Sequence, residues 1–355
     1  MKFGRVLCCC FLIMSISLIG VVGIEDGQKD IEDLCKFPIR EVDASGFVVE
    51  IDKEPQRVIT LAPSAAQTMW EIGGKDKVVG VTHYAKYLEG VDGKNVISSM
   101  EGEIILENVV SLDPDLVLSP NIIPKKTVEK LREAGVTVYY SSELKTIEDI
   151  MEETRLIGRL SGECEGSEEV VVRMQSKLDL IYEGTEGKEP PTVLYVFYGW
   201  TAGGETLIDE VIERAGGKNS AKIMGISGYR QLNAELIIQN EPEWIIINSD
   251  EVADIKNSEI VQNSKAGQNG NIIIVDVEHL NQPAPRIILA IEKIAYEISQ
   301  ESEVEERGNI LSEKNSEELN EPYREYLSII GQIFGYIGLI ILAGIVIRWA
   351  KEKWK

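Results

Sequence analysis

The chain has 355 residues, with 59 acidic against 36 basic side chains and a formal charge of −23. That balance excludes a nucleic-acid binder, because phosphate recognition needs a basic surface. About 300 residues lie between two apolar ends, enough for two packed lobes.

The N-terminal end reads as a targeting segment. Lys2 and Arg5 precede an apolar run from Val6 to Val22, and small residues follow at Gly20 and Gly23. The pattern predicts a signal peptide over residues 1–24. An uncleaved anchor stays open as the alternative, although the run is short for a membrane span. Cys8, Cys9 and Cys10 fall inside this segment, so Cys35 and Cys164 are the cysteines left for the outer part. They are free to pair in an oxidising compartment, but their spacing does not decide whether they meet.

Residues 36–143 and 190–299 form two segments built alike. The first contains Leu106-Glu107-Asn108-Val109-Val110-Ser111-Leu112-Asp113-Pro114-Asp115-Leu116-Val117-Leu118. The second contains Ala234-Glu235-Leu236-Ile237-Ile238-Gln239-Asn240-Glu241-Pro242-Glu243-Trp244-Ile245-Ile246-Ile247. Each runs from a glutamate through an apolar helical stretch and an acidic-Pro-acidic turn into a buried strand. Strands are also predicted at Arg57–Leu61 and Thr192–Phe197, and each leads into a helix. Those helices end at Gly73-Gly74 and Gly216-Gly217, where glycine accepts a left-handed cap. Third strands follow at Val136–Tyr140 and Ile272–Val275. Alternating strands and helices imply an α/β fold: two lobes, each with a mostly parallel sheet flanked by helices.

Residues 144–185 link the lobes. Ile147, Ile150, Met151, Thr154 and Ile157 keep helical spacing, Ser161-Gly162 interrupts it, and a second helix follows from about Ser167. A long rigid helix joining the lobes predicts a small hinge motion rather than wide closure.

Residues 300–326 are charged and poor in large apolar side chains, as in a flexible acidic stalk. Leu327–Ile347 is uncharged and apolar, long enough at about 30 Å to cross a bilayer core. Arg348, Lys351, Lys353 and Lys355 follow in the tail 348–355 and place it on the cytoplasmic side. The folded part is therefore expected outside a cell membrane, held by a single-pass C-terminal transmembrane helix.

An ordered set of short motifs resembles the helical-backbone class of periplasmic solute-binding proteins, which serve ABC importers of iron-siderophores, haem and cobalamin. The set includes Phe37-Pro38-Ile39, Glu54-Pro55-Gln56-Arg57-Val58-Ile59, Leu61-Ala62-Pro63-Ser64, Val78-Val79-Gly80-Val81-Thr82, Leu112-Asp113-Pro114-Asp115-Leu116-Val117 and Pro285-Arg286-Ile287-Ile288-Leu289. It spans about residues 37–300. The resemblance implies that one glutamate on each lobe docks on arginines of the permease, which points to Glu107 and Glu235. The internal repeat selects the same two residues, and a carboxylate pairs well with arginine in that role.

Ligand is expected between the C-terminal ends of the two sheets. The loops placed there are Pro63–Gln67, Thr82–Tyr87, Ser98–Gly102, Tyr198–Gly204, Ile226–Arg230 and His279–Arg286. From them Tyr84, Met100, Trp200, Tyr229 and Arg286 are the candidate ligand-binding residues. Flat aromatic faces suit a macrocycle, and an arginine suits an acidic group on it. Ala65-Ala66-Gln67 stands where the family often carries an acid or amide, so that loop is not expected to ligate metal. No metal site of the protein's own and no cofactor are predicted.

No GxSxG elbow, P-loop or HExxH motif occurs, so no catalytic residues are assigned and an enzyme is not expected. The expected function is capture of a metal chelate, a corrinoid or ferric siderophore, and its delivery to an ABC permease/ATPase complex by a monomeric protein. The alternative is a membrane-anchored receptor or sensor for haem or another small solute. The single anchor under an acidic outer domain resembles archaeal cell-surface layouts.

Overall fold

The structure, a computed structural model, describes residues 35–232, 241–252 and 258–299. The predicted signal peptide, stalk, membrane helix and basic tail lie outside the described residues, as does Glu235. Among the described residues no helix is long and apolar enough to cross a membrane.

The chain enters through an antiparallel hairpin, β1 (Ile39–Val42) and β2 (Val48–Ile51). Its turn is organised by Asp43, whose Oδ1 accepts the backbone N–H groups of Ser45 at 2.8 Å and Phe47 at 3.1 Å. The other oxygen pairs with Arg132 and accepts the Tyr140 N–H at 3.2 Å, which pins the hairpin to the first lobe. Burial alone would raise this carboxyl, but hydrogen bonds from Ser45, Arg132 and Phe47 hold it below the usual range.

The first lobe holds β3 (Val58–Thr60), β4 (Val78–Val81), β5 (Asn95–Val96), β6 (Leu116–Ser119) and β7 (Val138–Tyr140). They pair in the order β5-β4-β3-β6-β7, every pair parallel. Helices α1 (Pro63–Glu71), α2 (Leu106–Ser111) and α3 (Lys125–Glu133) cover its faces. The connector follows as α4 (Ile147–Ser161) and α5 (Cys164–Thr185). The second lobe contains β8 (Thr192–Val196), β9 (Trp200–Ala202), α6 (Leu207–Arg214), β10 (Lys218–Asn219), β11 (Tyr229–Gln231), β12 (Trp244–Asn248) and β13 (Ile272–Val275). Its parallel sheet runs β10-β8-β12-β13, and β9 pairs with β11 in a separate antiparallel ribbon. Residues 287–299 form a closing helix.

The two sheets share one strand order, with β4-β3-β6-β7 matching β10-β8-β12-β13. The repeated acidic-Pro-acidic turn has the same local chemistry in both. Asp113 and Glu241 each take a left-handed backbone, φ 46° and 36°. The acid after the proline then clamps the start of the neighbouring strand. Asp115 Oδ2 accepts the N–H groups of Gln56 at 2.8 Å and Arg57 at 3.0 Å, ahead of β3. Glu243 Oε2 accepts the Thr192 N–H at 2.6 Å, at the start of β8. The predicted glycine caps are present as well, Gly73 at φ 89° and Gly216 at φ 86°.

Strand residues alternate between two cores. Val58, Leu116 and Leu118 from the first sheet and Val193, Tyr195 and Ile246 from the second belong to one continuous cluster, which also takes in α1, α4, α5, α6 and the closing helix. Ile59, Val117 and Val138 face a second cluster, and Leu194, Ile245 and Ile247 a third. Burial on both faces explains why these strands read as unbroken apolar runs. The central cluster is why both lobes and the connector form one unit ending at Ser299.

The connector packs without slack. α5 is 22 residues, roughly 33 Å long, and touches α1 of the first lobe and α6 of the second. A Cβ on Gly166 would lie 2.0 Å from the Ile72 carbonyl oxygen at the end of α1. A Cβ on Gly158 of α4 would lie 2.2 Å from Ser167 Oγ of α5. Cys35 and Cys164 form a disulfide across 129 residues, tying the chain's entry to the first residue of α5. Closing a loop of that size contributes about 4–5 kcal/mol by chain entropy.

Glu153 of α4 is half-buried against the first lobe and accepts a hydrogen bond from the Tyr139 hydroxyl at 3.1 Å. Burial pushes its pKa up to about 7, and hydroxyls from Tyr139 and Ser141 offset only part of that. The folded state therefore holds a proton that the unfolded chain has released, and stability falls as pH rises from about 4.5 to about 7. Glu153→Gln is expected to raise the unfolding free energy by roughly 2 kcal/mol at pH 8 and to leave it nearly unchanged at pH 4.5, measured by chemical denaturation. Gly166→Ala should lower Tm by several degrees in calorimetry. Gly184→Ala sits in the same helix with no neighbour within 4 Å of the added Cβ. It should raise stability by about 0.5 kcal/mol.

Candidate functional site

Parallel strands deliver their C-terminal ends to one edge, and the loops that follow meet across a gap. Here the loops after β3, β4, β6 and β7 face those after β8, β12 and β13 around a cleft of about 1340 Å3. That exceeds the usual range for drug-sized ligands, about 300–1,000 Å3.

The second-lobe wall is aromatic. Tyr195 at the end of β8 stacks on Phe197 with centroids 5.0 Å apart, and Phe197 meets Tyr229 edge-on at 5.9 Å. Trp200 and Tyr229 stand on the β9–β11 ribbon, where Trp200 pairs with Gln231 and Ala202 with Tyr229. Period-two alternation puts Trp200 and Tyr229 on one face, as diagonal neighbours. Trp200 is 42% exposed and Tyr229 58%, both towards the cleft. Gly203 lets the ribbon lie close to its neighbour, since a Cβ there would be 2.1 Å from the Ile226 carbonyl oxygen.

A buried polar chain supports this wall. The Tyr195 hydroxyl lies 3.1 Å from Asn248 Oδ1 and 2.8 Å from Asn281 Oδ1. Asn248 Nδ2 donates to Glu251 Oε2 at 3.0 Å. The other oxygen of Glu251 accepts the backbone N–H of Tyr198, which holds a left-handed φ of 44°. Tyr198 projects into the opening and its hydroxyl donates to Asp250 Oδ2 at 2.8 Å. Burial raises the Tyr195 and Tyr229 phenols above the usual range, and the carboxylates of Glu251 and Glu143 respectively add to it.

The first-lobe wall carries Tyr84 and Tyr87, the start of α1 at Ala62–Ser64, Pro120–Ile122 and Glu143–Lys145. Tyr84 is 54% exposed, and its ring rests on Gly102, where an added Cβ would lie 2.7 Å away. Behind the cleft, Gln67 of α1 reaches the other lobe. Its Nε2 donates to the Tyr87 hydroxyl and to the Glu278 carbonyl, both at 3.0 Å, and its Oε1 accepts the Arg286 N–H at 3.2 Å.

Of the sequence candidates, Tyr84, Trp200 and Tyr229 converge on the cleft. Met100 and Arg286 do not line it. Met100 sits 71% exposed in the Ser98–Gly102 loop, outside the set of residues that line the cavity. The Arg286 guanidinium is taken by Glu71, with Nε to Oε1 at 2.7 Å, and the other oxygen of Glu71 pairs with Arg173 of α5 at 3.4 Å. The arginine thus fastens the closing helix to α1 and the connector. Neither His83 nor His279 lines the cleft. Among the described residues no group of three or more His, Cys, Asp or Glu could hold a metal ion.

Several lining residues escape the sequence reading. The loops after β6, β7 and β12 lie at the same edge as those selected, and the rule that placed the cleft at strand C-termini applies equally to them. They bring Pro120, Asn121, Glu143, Lys145 and Asp250. Phe197 had a signal too, at the end of a strand just before Tyr198-Gly199. Glu107, outside the cleft, is exposed in the first turn of α2, beside a shallow groove between α2 and α3.

Comparison with known proteins agrees with this architecture. A family model described as periplasmic binding protein matches residues 58–303. A cobalamin-binding protein of Halobacterium salinarum is 38% identical over 280 residues, 76% of each chain. The periplasmic vitamin B12 binding protein BtuF of Vibrio cholerae superposes with a TM-score of 0.61 at 24% identity, over 69% of this chain and 98% of that one. The periplasmic heme-binding protein RhuT of a Roseiflexus species gives 0.62 at 21%, again over 69% and 98%. The two repeated parallel sheets, the helical connector and the matched span together make this chain a member of the periplasmic binding protein family.

Proposed function

We propose that the chain captures a corrinoid of the cobalamin class in the cleft and hands it to an ABC importer at the outer face of a membrane. The observation that carries this reading is the cleft itself, about 1340 Å3 with Trp200, Tyr229, Phe197 and Tyr198 on one side and Tyr84 on the other. Two opposed aromatic walls grip the faces of a large flat macrocycle, and aromatic contacts contribute beyond area burial. The similarity to a cobalamin-binding relative supports the corrinoid over a ferric siderophore.

Delivery rests on Glu107 and Glu235. Glu107 presents an exposed carboxylate at a helix start, with Leu106 and Val110 of the adjoining groove beside it. Glu235 is its counterpart in the sequence repeat. A permease arginine meeting each carboxylate would orient the loaded protein over the translocation path. The apolar segment Leu327–Ile347 would keep the lobes near the importer and raise their local concentration.

Calorimetric titration of the full-length chain with cyanocobalamin should show saturable binding of one molecule, and Trp200→Ala should weaken it at least ten-fold. Absence of saturable binding to any corrinoid would sink the reading. In cells, Glu107→Arg with Glu235→Arg should abolish corrinoid uptake while leaving the calorimetric affinity unchanged. Equal loss of affinity and uptake would remove these residues from docking.

A further inference from the structure

The charges around the cleft are strongly one-sided. Four carboxylates line it, Glu143, Glu205, Asp250 and Glu278, against one ammonium, Lys145. Lys145 already pairs with Glu143 at 3.3 Å. Glu205 accepts a hydrogen bond from Ser227 at 3.2 Å and Asp250 one from Tyr198 at 2.8 Å, both from neutral hydroxyls. No described cation lies in ion-pair reach of Glu205, Asp250 or Glu278. The guanidinium nearest in sequence, Arg286, pairs with Glu71 and is felt at the Tyr87 hydroxyl, but makes no ion pair with these three acids.

These three acids come from the segments after β9, β12 and β13 on the second-lobe side and line the same cleft as the aromatic wall, Asp250 through its bond from Tyr198. A macrocycle lying on Trp200 and Tyr229 therefore places its edge among them. A low-dielectric cavity walled by one sign of charge focuses its potential on whatever enters.

We infer that Glu205, Asp250 and Glu278 set the specificity of the cleft by charge, favouring corrinoids with a net positive charge and disfavouring carboxylate-bearing macrocycles. This rests on the corrinoid reading and sharpens it. Haem carries two carboxylates at its edge, and here they meet acids in place of arginines. A corrin edge carries neutral carboxamides, which donate N–H groups to carboxylates. Where the cobalt bears water instead of cyanide, the ligand also gains a positive charge. In a partly solvated cleft each unit of ligand charge should shift affinity roughly five-fold.

The test is a charge series on one macrocycle, titrated into the full-length chain at low and high salt. Aquacobalamin carries one positive charge, cyanocobalamin none, and the monocarboxylate made by hydrolysing one side-chain amide of cyanocobalamin one negative charge. Affinity is expected to fall in that order, about five-fold per step at 50 mM salt, with the steps shrinking at 500 mM. The combined variant Glu205→Gln, Asp250→Asn, Glu278→Gln should compress the ratio between first and last at least five-fold. Equal affinities across the wild-type series, or a ratio preserved in the variant, would overturn the charge assignment and leave corrinoid capture standing. Failure of all three ligands to bind would overturn corrinoid capture, and the charge assignment with it.

Discussion

The architecture depends on how closely the connector lies against the first lobe. Gly166 of α5 faces the Ile72 carbonyl with no room for a side chain, and Gly158 of α4 faces Ser167 in the same way. Such contacts replace a flexible hinge with a rigid spacer, because close-packed atoms cannot slide without opening voids. The central apolar cluster then runs from the hairpin through α1, α4 and α5 into the second sheet. The separation of the two sheets, and so the width of the cleft, follows from that packing.

A second set of ties crosses behind the cleft. Gln67 is fully buried, and its amide spends both ends on bonds that link α1 to the Glu278–Arg286 segment. Glu71 joins Arg286 to Arg173 alongside it. These bonds tie the lobes together behind the cleft, and the disulfide separately fixes the start of α5 to the chain's entry. The aromatic wall is held in the same manner, by the Glu251–Asn248–Tyr195 chain under Phe197 and Tyr198. Buried, satisfied polar groups of this kind specify one arrangement, since any shift would strand a donor or acceptor in a low-dielectric interior. The wall is thus formed before ligand arrives, which lowers the ordering cost of binding.

Much of this was legible in the residues. Unbroken apolar runs such as Trp244-Ile245-Ile246-Ile247 announce strands buried on both faces, and the repeated acidic-Pro-acidic turn announces two lobes of one topology. Trp200 and Tyr229 were legible because glycines beside them mark close backbone approach. Arg286 was misplaced for a physical reason. An arginine next to a proline in a loop reads as available, and nothing in its neighbourhood shows that Glu71, 215 residues away, neutralises it. Met100 was chosen because its loop follows β5, which ends at the same edge as its neighbours, but β5 is the outermost strand and Met100 is not among the residues lining the cleft.

The sequence by itself determined the class of fold, the doubling of the lobe, the helical nature of the link and the aromatic character of the opening. These depend on periodicity, turn chemistry and composition, which act over a few residues. Only the tertiary structure decided that Cys35 meets Cys164, that Glu153 is half-buried beside Tyr139, and that Glu205, Asp250 and Glu278 share one cleft with no described cation in ion-pair reach. Those facts are juxtapositions of residues tens to hundreds of positions apart. Charge and desolvation depend on distance in space, and chain order carries no record of that distance until the strands are paired.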